Sequence, residues 1–307
     1  MLTVLLQMFA VIALGLGWAL RNPLPLDVAT VRNAVSGLVY YLLLPALVLE
    51  VIWTTTLGPD SARIAASAGA GVLSALGLAW LICRSCGMAR AVTGAMMLAA
   101  SFPNATYLGL PLLERILGAP GRSIAIQYDL FACTPLLLTV GVVVAQRFGR
   151  GTTNSSVWGG VLRVPPLWAA ALAAGLNATG VSPPPALLEL LHMLGAPVIP
   201  LMLLVVGMAL RDGLGQHRYL PAALAVVVLQ LAIMPLVVWG VAAGLGLDGE
   251  RLLGTVLEAA MPSMALGVVL CDRYGLDSGV YAAALTLTTA LSLATLPLWH
   301  GWVGGVA

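Results

Sequence analysis

The scarcity of charge decides what this chain can fold into. Charged side chains make up 8% of its 307 residues and hydrophobic ones 60%, giving a mean hydropathy of +1.01. A soluble domain carries roughly 25% charge, so a globular surface of this size could not be solvated. Disorder is excluded as well, because it requires low hydrophobicity and high net charge. A net charge of +2 provides no concentrated basic stripe, which argues against a nucleic-acid partner. The basic residues are all Arg, a composition bias and not a phosphate-binding code. At about 20 apolar residues per crossing, the chain holds about ten transmembrane helices and little else. It reads as an all-α polytopic protein whose solvent is the lipid bilayer.

Apolar runs broken by Arg, Asp, Gly and Pro place ten segments at about 2–20, 31–53, 62–83, 91–117, 122–146, 160–177, 186–210, 218–245, 251–273 and 278–302. The first lacks the basic region and small-residue cleavage site of a signal peptide and reads as a spanning helix. The widest gap, Arg147–Trp158, is a Gly/Ser/Thr/Asn linker. It divides the chain into a five-helix repeat at 1–148, a linker at 149–158 and a second five-helix repeat at 159–307. Loops after the odd segments hold ten Arg and those after the even segments four. The positive-inside rule then puts both termini outside and the linker in the cytoplasm of an inner membrane.

An odd number of helices per half means that a duplicated half enters the membrane inverted. A shift of 159 residues lays Leu98–Pro103 (LAASFP) on Leu257–Pro262 (LEAAMP) and sets Asn104 against Ser263. A shift of 155 pairs Pro45 with Pro200 and Asn22 with Asn177.

Enzyme chemistry has nothing to stand on. Three scattered His make no HExxH, and no GxSxG or phosphate-binding loop is present. Cys83 and Cys86 form a CxxC, but a tetrahedral metal would need two further ligands, so no metal or cofactor is expected.

Segments 4 and 9 carry the chemistry. Each has a Pro near its middle, Pro103 and Pro262, flanked by small or polar residues. A mid-helix Pro removes an amide and clashes with the preceding turn, and in lipid the freed backbone groups need partners in protein or in a cavity. Matched breaks in two halves point to a midplane site, where half-helix N-termini favour an anion. Two packed, kinked helices are the alternative.

These stretches carry a resemblance. Phe102-Pro-Asn-Ala-Thr-Tyr-Leu-Gly-Leu-Pro-Leu112, Ala260-Met-Pro-Ser-Met-Ala-Leu-Gly267 and Gly195-Ala-Pro-Val-Ile-Pro-Leu-Met-Leu-Leu-Val-Val-Gly207 resemble the auxin efflux carrier family, over nearly the whole chain. The resemblance implies ten helices in two inverted repeats, with broken helices 4 and 9 crossing at the substrate site, as in bile-acid:sodium symporters. It further implies a scaffold of helices 1, 2, 6 and 7, through which a homodimer would form, and a transport domain of helices 3–5 and 8–10. The plant members' long central loop is absent. By the same resemblance, Pro103, Asn104, Pro262 and Ser263 belong to the substrate site, with the Asn104 amide on a substrate carboxylate; Thr106, two residues beyond Asn104, is a further substrate-binding candidate. Glu258 stands where the sodium symporters carry a Glu.

An ionisable side chain at membrane depth is expensive and is a functional hypothesis by default. Asp129 and Glu258 are the two such carboxylates. Desolvation favours the neutral form of a carboxyl group, so either is a candidate for exchanging a proton during transport. With Asn104 or Thr106 they are alternatively an oxygen cage for Na⁺, or each is buried in a pair with an Arg or a hydroxyl that only holds helices together. Glu50 and Glu189 are expected to reach the headgroups, Glu114 and Arg115 to pair at the interface, and His192 to pack. The expected function is alternating-access transport of a small organic anion, a mono- or dicarboxylate. The alternative is a sensor that keeps the carrier fold and binds without translocating.

Overall fold

The computed structural model describes residues 2–55, 57–150 and 164–305, and among them the chain is helical with no β-strand. From the N-terminus come α1 (Leu2–Arg21), α2 (Val28–Thr54) and α3 (Pro59–Ser85). Then follow two half-length helices, α4 (Arg90–Ser101) and α5 (Leu110–Leu117), and the long α6 (Ala119–Phe148). After the undescribed stretch come α7 (Pro165–Ala178), α8 (Pro185–Gly213) and α9 (His217–Gly244). A second half-length pair, α10 (Gly249–Ala259) and α11 (Leu266–Tyr274), precedes α12 (Ser278–Gly304). Seven of these, α1, α2, α3, α6, α8, α9 and α12, are long and apolar enough to cross a bilayer. The chain is a multi-pass membrane protein. Most of the expected linker, from residue 151, lies outside the described residues, as do Trp158 and Arg163.

Proline shapes the long helices in a repeated way. Pro45, Pro111, Pro135 and Pro235 each follow a π-helical turn that ends two residues earlier, at Val39–Leu43, Ala105–Gly109, Asp129–Cys133 and Leu229–Ile233. A Pro ring collides with the carbonyl four residues before it and brings no amide to bond it. Widening the preceding turn by one residue moves that carbonyl away while the rest of the ladder stays paired. Pro297 sits inside α12 without such a turn, and Leu137–Gly141 is π-helical without a Pro two residues on.

The helices pack in two groups. α1 lies along α8, and α2 packs against α7 and α8. α3, α4, α6, α9, α10 and α12 pack among themselves, with α5 on α6 and α11 on α12. In the first group the backbones of α1 and α8 come within reach of each other. A Cβ on Gly15 would overlap the Leu204 carbonyl, and one on Gly207 the Ile12 carbonyl. Such close approach is how helices gain contact in lipid, where no hydrophobic drive favours association.

An ion pair bridges the groups. Glu50 of α2 meets Arg122 of α6 at 3.3 Å and His192 of α8 at 3.1 Å, while Arg122 reaches Glu114 at 3.6 Å. Glu50 therefore does not reach the headgroups as its place near a helix end suggested: it is 8% exposed, because a cation from the facing group covers it. Glu114 pairs with Arg122 and not with its neighbour Arg115. Glu189 is exposed, and His192 is exposed as well, joined to the network through Nδ1.

Gly207→Val should force α1 off α8 and destabilise the protein by about 1–3 kcal/mol. Gly240→Ala, whose Cβ would enter open space, should be neutral. Melting temperatures of the purified variants check the pair; equal values would contradict the close packing.

Candidate functional site at the helix crossover

The two half-helix pairs meet where their sequences break. α4 ends at Ser101, and the chain runs extended through Phe102 to Asn104 before turning into Ala105–Gly109. α10 ends at Ala259, and Met261 to Met264 run past in the opposite direction. Pro103 and Ser263 pair there as an isolated antiparallel bridge. The Asn104 amide donates to the Pro262 carbonyl at 2.8 Å, and the Met264 amide to the Phe102 carbonyl at 3.1 Å. Each break thus supplies the partner that the other lost.

Side chains complete the pairing. Gln230, on the π turn of α9, donates to the Met261 carbonyl at 2.9 Å and to that of Ala259 at 3.4 Å. Thr288 of α12 accepts from the Ser263 amide at 3.2 Å, and the Ser263 hydroxyl donates to the Ala99 carbonyl at 2.6 Å. Tyr281 donates to the Met264 carbonyl at 3.0 Å. All of these groups are buried or partly buried, where an unmet polar group is expensive.

A cavity of about 60 Å³ opens beside the crossover. Pro103, Asn104, Thr106 and Asp129 line it, joined by Tyr40 from α2 and Thr134 from α6. Asp129 begins the π turn of α6 and accepts hydrogen bonds from both threonines, Thr106 and Thr134, the latter at 3.0 Å. The side-chain amide nitrogen of Asn104 is buried and has no hydrogen-bond partner.

The structure therefore brings together four of the residues singled out from the sequence, Pro103, Asn104, Thr106 and Asp129. Pro262 and Ser263 sit in the crossover itself, with the Ser263 hydroxyl turned to Ala99 and not into the cavity. Glu258 lies apart, fully buried, with neither carboxylate oxygen hydrogen-bonded. Its carboxylate rests against Gly109, where a Cβ would overlap it. Among the described residues no cluster of three or more His, Cys, Asp or Glu gathers as a metal cage.

A family described as "Membrane transport protein" matches residues 1–300 of this chain. The chain belongs to that family. It is the carrier family that the crossover motifs resemble. An uncharacterized transporter of Methanothermobacter thermautotrophicus is 32% identical over 222 residues, 72% of each chain. An uncharacterized transporter of Methanocaldococcus jannaschii is 26% identical over 213 residues, 68% of each.

For this membrane transport protein, sequence reasoning missed the residues that hold the crossover together. Gln230 is an amide isolated in an apolar run, LQLAIMP, and Thr288 stands in LTLTT. A lone amide at membrane depth was the available signal for the first; nothing marked the second.

Gln230→Met keeps the side chain's bulk and removes the donor, leaving the Met261 and Ala259 carbonyls orphaned. The cost should be about 1–3 kcal/mol, read as a lowered melting temperature. An unchanged value would show that the crossover does not need this donor.

Proposed function

We propose that this protein is a secondary carrier that moves a small carboxylate-bearing organic anion by alternating access. The observation that carries the reading is the crossover: two interrupted helices, paired backbone to backbone, beside a cavity lined by Asn104, whose buried side-chain amide has no partner. Half-helices starting at such a break direct partial positive charge at a guest. Membership in a transport family supports the reading.

In this reading the α4–α5 and α10–α11 pairs are the fourth and ninth of ten crossings, related by inversion of the two halves. The group α1, α2, α7 and α8 is the scaffold and the dimer face, and the remaining helices are the moving domain. The two packing groups support that division. The Arg distribution supports termini outside and the linker in the cytoplasm. Asn104 holds the carboxylate. Of the two membrane carboxylates, Glu258 is the coupling group for H⁺ or Na⁺, because its unpartnered oxygens are free to take a cation.

The test is counterflow in liposomes together with binding by the purified protein. Asn104→Leu keeps similar volume and removes the donor. A hydrogen bond to a charged group is worth about 1.5–3 kcal/mol, so affinity should fall roughly ten- to hundredfold at unchanged melting temperature. Undiminished affinity would move the site away from the crossover, and binding without counterflow would make the protein a sensor. Glu258→Gln should abolish any dependence of counterflow on pH or Na⁺; retention of that dependence would clear Glu258 of the coupling role.

A further inference from the structure

The crossover cavity has an acidic side chain, Asp129, in its lining and no basic one to match it: no Arg, Lys or His lines it among the described residues. Glu258, also a buried carboxylate, is not part of the lining and brings no compensating charge. Asn104 lines the cavity, its buried side-chain amide nitrogen has no hydrogen-bond partner, and on the carrier reading that nitrogen turns to take the substrate's carboxylate. A carboxylate there would share a cavity of about 60 Å³ with the Asp129 carboxylate. With Asp129 ionised, like charges about 5 Å apart, at an effective dielectric of about 20, repel enough to cost roughly two orders of magnitude in affinity.

From this juxtaposition, Asn104 and Asp129 on one small cavity without a cationic side chain, we propose that the substrate carries an ammonium group as well as its carboxylate. It is a small amino acid with an apolar side chain. The proposal rests on the carrier reading, keeps its carboxylate and departs from it in giving the substrate a compensating cation, so that the guest is a zwitterion and not a net anion. The carboxylate lies on Asn104 and the half-helix amides, and the ammonium lies on Asp129.

The geometry around Asp129 suits that task. Thr106 and Thr134 each donate one hydrogen bond to it and fix its orientation. An ionised carboxylate offers about four acceptor positions, so two remain for the three donors of an ammonium. Tyr40 and Tyr107 are on the same wall, and an aromatic face attracts a cation within about 6 Å. The rest of the lining is apolar, with Leu130, Leu137 and Leu138 among its members, and would receive an aliphatic side chain. A dicarboxylate would put its second charge against Asp129.

Matched ligands test this on the purified full-length protein. Leucine, 4-methylpentanoate and 3-methylbutylamine share a side chain and differ in which charged groups they keep; alanine, propionate and ethylamine form a smaller set. Equilibrium binding should rank at least one amino acid roughly tenfold or more above both of its one-charge partners. Asp129→Asn, at a melting temperature close to that of the parent protein, should erase the gap between the amino acid and the deaminated acid. A deaminated acid that binds the parent protein as tightly as its amino acid overturns the proposal, and so does failure of both sets to bind. These outcomes are separable from failure of the carrier reading: an amino acid that binds as described but shows no counterflow leaves the substrate class standing and removes transport.

Discussion

The crossover exists because backbone polar groups in a membrane must be satisfied inside the protein. Breaking a helix at Pro103 strands amides and carbonyls that water would meet in a soluble protein. Here the second break, at Pro262, lies antiparallel to the first, and the two exchange hydrogen bonds across Pro103 and Ser263. Gln230, Thr288 and Tyr281 cap the groups that the exchange leaves over, and they come from α9 and α12, which flank the crossing. With these needs met, the side-chain amide nitrogen of Asn104, a residue of the cavity lining, is still buried without a partner.

The same economy governs the unbroken helices. Four prolines are accommodated by π turns that keep the ladder nearly complete, and two of those turns also serve the site. Ala105–Gly109 brings Thr106 to the cavity and sets Gly109 against Glu258. Asp129–Cys133 starts with the carboxylate that Thr106 and Thr134 hold. Proline thus sets the local helix geometry from which the site's polar side chains project. The ionic contact between Glu50 and Arg122 joins the two packing groups away from the crossover.

Much of this was legible in the sequence. The low charge content dictates a multi-pass helical protein, and Pro103 and Pro262 mark the breaks through their matched surroundings. Asp129 stands out because charge at membrane depth is rare, and it does line the cavity. The limits were set by pairing across long distances. Ser263 reads as a donor to a substrate, yet its hydroxyl is used by Ala99 within the crossing. Glu50 reads as a headgroup residue because its distance from a helix end is visible in sequence, whereas Arg122, 72 positions away in the chain, is not visibly its partner. Tyr40 sits in an ordinary apolar run, and only the approach of α2 to the crossover makes it part of the wall.

The central claim is that the crossover cavity is reached by solvent from each side of the membrane in turn. Leu138 lines the cavity without taking part in its hydrogen bonds. Leu138→Cys, with the four native cysteines replaced, can be reconstituted in oriented liposomes and exposed to membrane-impermeant maleimide on one side at a time. Labelling from either side is the predicted result. Labelling from one side alone, or from neither, would contradict the account.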